Sequence, residues 1–204
     1  MSQEPDAGRT PLERHLSGVP AEANKVTPLD ALKLARRRFV KQERVDMNDL
    51  AQELGVGRAT LYRWVGSRDQ LLGEVMWSLA EQGLARAKGE AKGSGADWVL
   101  SVYRRFGELI LETPPVLHFV RTEPEAALRV MTTKSSPHQA RVVDWYRQLL
   151  EEAAATKGLK LKLDAETLAF VLIRVAESFL WTDLITGGEP DLSRGWEVAR
   201  VLLT

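Results

Sequence analysis

Residues 47–72 read MNDLAQELGVGRATLYRWVGSRDQLL, two short apolar-periodic segments joined at a glycine-containing turn. Leu50, Ala51 and Leu54 belong to a short helix, which Gly55 ends because glycine tolerates the left-handed backbone needed just past a helix terminus. The following RATLYRWV, residues 58–65, is too short to be stable alone, so Leu61 and Val65 must pack it onto its neighbours. Two short helices around LGVG form a helix-turn-helix candidate. Ser67 then caps a longer helix, RDQLLGEVMWSLAEQGLARAK, whose Leu71, Val75 and Leu79 share one stripe.

Upstream, Pro28 opens LDALKLARRRFVKQ, where Leu32, Ala35 and Phe39 recur at three- and four-residue spacing and Thr27 is a candidate N-cap. Residues 1–27 alternate Pro, Gly and acidic residues without a period and read as a flexible arm. Downstream, Gly89–Gly95 is a glycine-rich break. Beyond it, Val99, Val102, Phe106, Leu109 and Ile110 mark a helix that Pro114-Pro115 stops. Short pieces around VLHFV and EAALRVM precede a long helix starting near His138, with Val142, Trp145, Leu149 and Ala153 aligned and Gly158 as terminator. Asp164 caps a helix running to about Ile185, apolar on nearly every side, and Asp191 caps a last one over Leu192–Leu203. No strand pattern emerges. The expectation is an all-α chain with a flexible arm over 1–27, a helix-turn-helix domain over 28–74, and a larger helical domain over 75–204, in which one face of the apolar helix can meet the core and the other a partner chain.

The whole chain balances 28 basic against 28 acidic residues, with 44% hydrophobic residues and no cysteine. Disulfide stapling, cysteine metal sites and thiol catalysis are excluded, and a cytoplasmic location is expected. No apolar stretch is long enough to span a membrane. The balance hides an asymmetry: residues 28–72 carry nine basic groups against six acidic, a net of plus three. Since Leu61 and Val65 are needed inside, Arg58, Ala59, Thr60, Tyr62 and Arg63 are left to face a DNA major groove, or to be ordinary solvated surface. Trp64 packs on the following helix or stacks on the DNA backbone. Arg68, in a helix's first turn where its charge opposes the dipole, suits a phosphate or is simply tolerated.

This run resembles the N-terminal DNA-binding domain of TetR-family transcriptional repressors. The likeness lies in Leu50 and Ala51, then Gly55 and Val56, then Thr60, Leu61 and Tyr62, and a basic residue shortly before Leu71 and Leu72. It extends from about Leu29 to Leu79. The resemblance implies an all-helical homodimer with a DNA-binding head and a ligand-binding body, acting as a repressor that leaves a palindromic operator when a small molecule binds. It assigns base reading to Arg58, contacts to phosphates or base edges to Thr60 and Tyr62, and the place of the family's usual lysine to Arg68. Trp64 and Val65 stand where the family often has His and Phe. The body is similar to QsdR-type regulators, associated with quorum-signal lactone degradation, which implies a lactone or another apolar compound as effector.

In the body, Trp98, Tyr103, Phe106, His118, Phe119, Trp145, Tyr146 and Glu177 are candidates to line an effector cavity, with ordinary helix packing as the alternative. The last two helices would pair with their symmetry mates, as the resemblance implies. Phe179, Trp181, Leu184 and Trp196 are interface candidates, with plain core as the alternative.

Enzymatic readings find little support. Glu108, Glu112, Glu123, Glu125 and His118 cluster in sequence, but there are three histidines, no HExxH, no GxSxG elbow and no phosphate loop. Gly55, Gly57 and Gly66 punctuate helices and follow no strand, so a dinucleotide site fails on context. No catalytic residue, metal or cofactor is expected. A small helical enzyme, or an interaction module without DNA preference, remains the alternative to a regulator.

Overall fold

The computed structural model describes residues 10–16, 26–182, 187 and 191–204. Within them every regular element is an α-helix, and the chain divides into two compact units, Met1–Val75 and Met76–Thr204.

The first unit holds α1 (Pro11–Leu16), α2 (Pro28–Val40), α3 (Met47–Glu53), α4 (Arg58–Val65) and the start of α5 (Arg68–Glu90). Each helix start has a local cause. Thr27 and Asp30 form a capping box ahead of α2: the Thr27 backbone N–H donates to Asp30 Oδ2 at 2.9 Å, and the Asp30 N–H donates to Thr27 Oγ1 at 3.4 Å. Thr10 and Glu13 repeat this device at the start of α1, at 2.6 and 3.2 Å. The arm expected from composition thus contains one helical turn and a half, with Leu12 buried and α1 packed on α2 and α4. Six residues are too few to show a hydrophobic period, but Thr-Pro-Leu-Glu at 10–13 matches Thr-Pro-Leu-Asp at 27–30 and was the available signal.

Asp46 caps α3, accepting from the N–H groups of Asn48 and Asp49, which hold its carboxyl below the usual range. Leu61 and Val65 of α4 are buried, and α4 packs against α2 and α3. Between α4 and α5, Gly66 has φ 71° and ψ −137°, and a Cβ there would lie 1.9 Å from Gln70 Oε1. That glycine makes room for the Gln70 side chain, which accepts from the Ser67 N–H at 2.7 Å while Ser67 Oγ accepts from the Gln70 N–H at 3.1 Å.

The second unit continues α5 and adds α6 (Gly95–Leu111), α7 (Pro114–Thr122), α8 (Pro124–Thr132), α9 (His138–Thr156), α10 (Ala165–Leu180) and α11 (Leu192–Leu203). Proline opens α7 and α8, where the missing N–H costs nothing. Asp164 accepts from the Thr167 N–H at 2.8 Å at the start of α10, and Asp191 accepts from the Ser193 N–H at 3.1 Å at the start of α11. Helix α10 packs between α9 and α11, and α6 packs on both α9 and α11. Their inward stripes form one core around Val99, Val102, Tyr146, Leu149, Leu150, Leu168 and Leu172. Helix α10 ends at Leu180, short of the expected Ile185; residues 183–186 lie outside the described ones.

Candidate functional site

In the first unit, α4 presents a mixed polar face because its two aliphatic residues, Leu61 and Val65, are committed to the core. Arg58, Ala59, Tyr62 and Arg63 are exposed, and Thr60 and Trp64 are half-buried. Tyr62, 43% exposed, is large for a side chain with no buried role. Helix α4 is short, but it is held in place. Arg38 Nη2 meets Glu53 Oε2 at 2.6 Å and Arg37 Nη2 meets Glu53 Oε1 at 2.8 Å, so two of the three consecutive arginines of α2 clamp α3. The Arg38 and Arg37 guanidinium groups hold the Glu53 carboxyl below the usual range. Arg68 donates from Nε to the Val45 carbonyl at 2.6 Å, which explains a cation in a helix's first turn by a third route, a tie to the α2–α3 connection.

The second unit holds a partly open cavity of about 120 Å³ among α5, α6, α7, α8, α9, α10 and α11. Tyr103, Phe106, Tyr146 and Glu177 line it. Trp98, His118, Phe119 and Trp145 do not. Trp98 is buried in the core beneath Lys157, whose Nζ lies 5.3 Å from its ring. Phe119 is buried in α7, His118 is half-buried there, and Trp145 meets Tyr146 edge-on at 5.4 Å. Phe179, Trp181 and Trp196, candidates for the partner-facing surface, lie on the cavity wall, and Leu184 lies outside the described residues.

The wall also contains residues that spacing did not single out: Met76, Ala80 and Gly83 of α5, Gly107 of α6, His138 and Gln139 of α9, Ala176 of α10 and Gly195 of α11. For Gly83, Gly107 and Gly195 the signal was a glycine inside a helix, which costs about 1 kcal/mol relative to alanine and so marks a close approach or a hollow; Met76, His138 and Gln139 carried none. At Gly195 a Cβ would sit 3.2 Å from Phe179 Cδ2, so α11 approaches that ring as closely as a glycine permits.

The cavity is apolar with a polar strip. Tyr103 donates its hydroxyl to the Leu172 carbonyl at 3.0 Å, and Tyr146 stands edge-on to it at 6.1 Å with no hydrogen-bond partner for its own hydroxyl. Burial pushes both phenols up, so both stay protonated. Burial, helped by Arg141, lowers His138 to about 4, and the imidazole is neutral near pH 7. Its Nδ1 also lacks a partner. Among the described residues, Glu177 is the one charged side chain on the wall; burial raises its carboxyl pKa against the pull of Arg174, whose Nη1 lies 2.8 Å away, and of Gln139.

A third feature lies on the outer sides of α10 and α11, where Phe170 is 49%, Val198 39% and Val201 74% exposed. Among the described residues, no group of three or more His, Cys, Asp or Glu could hold a metal ion, and no helix is long and apolar enough to cross a membrane.

An all-α chain with a basic helix-turn-helix followed by a hollow helical body defines a helical regulator of the DNA-binding type. Residues 94–204 match the family model described as the tetracyclin repressor-like C-terminal domain. The chain belongs to the TetR family of transcriptional regulators. Among similar solved structures is the transcriptional repressor QsdR of R. erythropolis, 27% identical, with a TM-score of 0.81 over 86% of this chain and 93% of that one. A TetR-family transcriptional regulator from Rhodococcus sp. is 19% identical, with a TM-score of 0.51 over 85% of this chain and 96% of that one, and shares the fold. No curated protein matches the chain significantly.

Proposed function

We propose that this protein is a ligand-responsive repressor that binds a palindromic DNA operator as a homodimer and releases it when a small, largely apolar effector enters the body. The observation that carries this reading is the course of one helix. Helix α5 starts at Arg68, directly after the α4 turn, and further along contributes Met76, Leu79, Ala80 and Gly83 to the cavity wall. A molecule that binds one position of α5 better than another shifts the head by that difference in affinity, and by no more.

Arg58 reads bases from the exposed face of α4, while Thr60, Tyr62 and Arg63 contact phosphates or base edges. A single eight-residue helix reads too few bases for selectivity. Two copies placed about 34 Å apart on one face of a duplex supply it. Phe170, Val198 and Val201 support pairing through α10 and α11, since apolar side chains on two adjacent helices are the kind of surface a second copy covers. The similarity to QsdR, described as a repressor, supports the sign of regulation, and a lactone or another apolar compound suits the cavity. A regulator of this kind works in the cytoplasm, where its DNA is.

The test is selection of bound duplexes from a random library at stated salt, with sedimentation of the free protein alongside. A palindromic consensus, a dimer, and a preference relaxed by Arg58→Ala are the expected results. A monomer that binds all duplexes equally would overturn the reading.

A further inference from the structure

Resting on the cavity being the effector site, we propose that its occupant is an uncharged, ring-sized molecule whose carbonyl-type oxygen accepts a hydrogen bond from the Tyr146 hydroxyl. Size comes first. A cavity of about 120 Å³ is on the scale of one that takes up a single aromatic ring. Charge comes second. Among the described residues, no lysine or arginine lines the wall, so a carboxylate or phosphate ester would lose its hydration with no cation to receive it. The one wall carboxylate, Glu177, is already paired with Arg174, which is itself held by the Thr132 carbonyl at 3.2 Å, so an incoming ammonium would have to displace a tethered partner.

Polarity comes third. The other hydroxyls of the wall are engaged: Tyr103 donates to the Leu172 carbonyl, and Thr113 Oγ1 donates to the Leu109 carbonyl at 2.6 Å. Tyr146 is fully buried and its hydroxyl has no partner within the chain, an arrangement that costs free energy and that an acceptor relieves. Gln139, seven residues away on α9, already bears on the Glu177 carboxyl, so Tyr146 is the donor left for an incoming oxygen. Such a site rejects an analogue that lacks the oxygen because its own donor is then left unpaired.

The experiment uses four probes with one six-membered ring: cyclohexanone, methylcyclohexane, cyclohexanecarboxylate and cyclohexylammonium. Binding to the full-length protein without DNA is read by tryptophan fluorescence, since Trp181 and Trp196 lie on the wall. Wild type and Tyr146→Phe are compared. Cyclohexanone affinity is expected to fall about five- to tenfold in the variant, while methylcyclohexane affinity stays equal or rises, and both charged probes bind more weakly than cyclohexanone to wild type. Equal change for the two neutral probes, tighter binding of either charged probe, or no binding of any probe overturns the proposal. Should Tyr146→Phe fail to fold, the order of the charged probes and cyclohexanone on wild type still decides. Operator release is measured separately. Tyr146-dependent binding without release would sink the repressor reading and leave the ligand chemistry standing; release by a molecule indifferent to Tyr146→Phe would do the reverse.

Discussion

Arg68 donates from Nε to the carbonyl of Val45 across 23 residues at 2.6 Å, tying the first turn of α5 to the connection that leads into α3. This bond separates two arginines that look alike in the sequence. Arg68→Ala is expected to destabilise the head by about 1 to 2 kcal/mol, because it leaves a half-buried carbonyl without its charged donor. Hydrogen exchange of α3 and α4 amides reads that loss. Arg58→Ala should leave exchange unchanged and instead cost about 1 to 3 kcal/mol of discrimination at one operator position. Equal exchange in the two variants would remove the structural role given to Arg68.

Leu12 makes α1 part of the head, since it is buried where α1 packs on α2 and α4. Leu12→Ala should cost about 2 kcal/mol, the low end of the range for a buried leucine because the helix is short. The expected sign is faster amide exchange in α4 and weaker operator binding, with probe binding in the body unaltered. Unchanged exchange in α4 would mean that α1 contributes nothing to holding it.

On the outer face of the last two helices, Phe170 and Val201 are exposed within one chain. Phe170→Glu and Val201→Glu should therefore change the unfolding of the isolated chain by less than about 0.5 kcal/mol. They should weaken self-association by thirtyfold or more, on the order of 2 kcal/mol for a central apolar contact. Analytical ultracentrifugation over a concentration series distinguishes this from an interface placed elsewhere, for which both variants would dimerise like wild type.

Ala176 is half-buried on the cavity wall, and Ala176→Leu adds three carbon atoms into the space. Ligand uptake should drop about tenfold or more, because overpacking costs about 1 to 3 kcal/mol where a ligand must also fit. Operator binding should persist, giving a regulator that no longer responds. Loss of operator binding together with ligand binding would show that the substitution disturbs the fold instead.

His138 sets a pH dependence with a definite sign. Its imidazole is lowered to about 4 in the folded protein by burial and by Arg141, while an unfolded histidine titrates near 6.5. Between those values the unfolded chain binds the extra proton, so the contribution is fully present above about pH 6.5 and is lost as the pH falls toward 4. The loss amounts to about 3 kcal/mol. Glu177, raised by burial, works in the opposite direction, so the comparison must be with His138→Gln at each pH. Denaturant unfolding followed by tryptophan fluorescence should show a shallower pH slope for the variant; parallel slopes would mean that the imidazole is solvated.

Most helices other than α1, and the helix-turn-helix, were legible in the chain alone, because their signals are short-range. Thr27 with Pro28, Asp164 and Asp191 mark helix starts, Gly55 marks an end, and Leu61 with Val65 mark the one side of α4 that must be inside. Each acts through hydrogen bonds or contacts within a few residues. Only the tertiary structure decided which aromatic side chains enclose a space. Phe106 and Trp98 both belong to α6, yet one lines the cavity and the other fills the core, while Phe170 of α10 faces outward and Trp181, just past the end of α10, lies on the cavity wall. Helical period tells which side of a helix avoids water, but a hollow depends on how far apart seven helices stand. That distance is set by small residues such as Gly195 and by the bulk of side chains remote in sequence, such as Phe179.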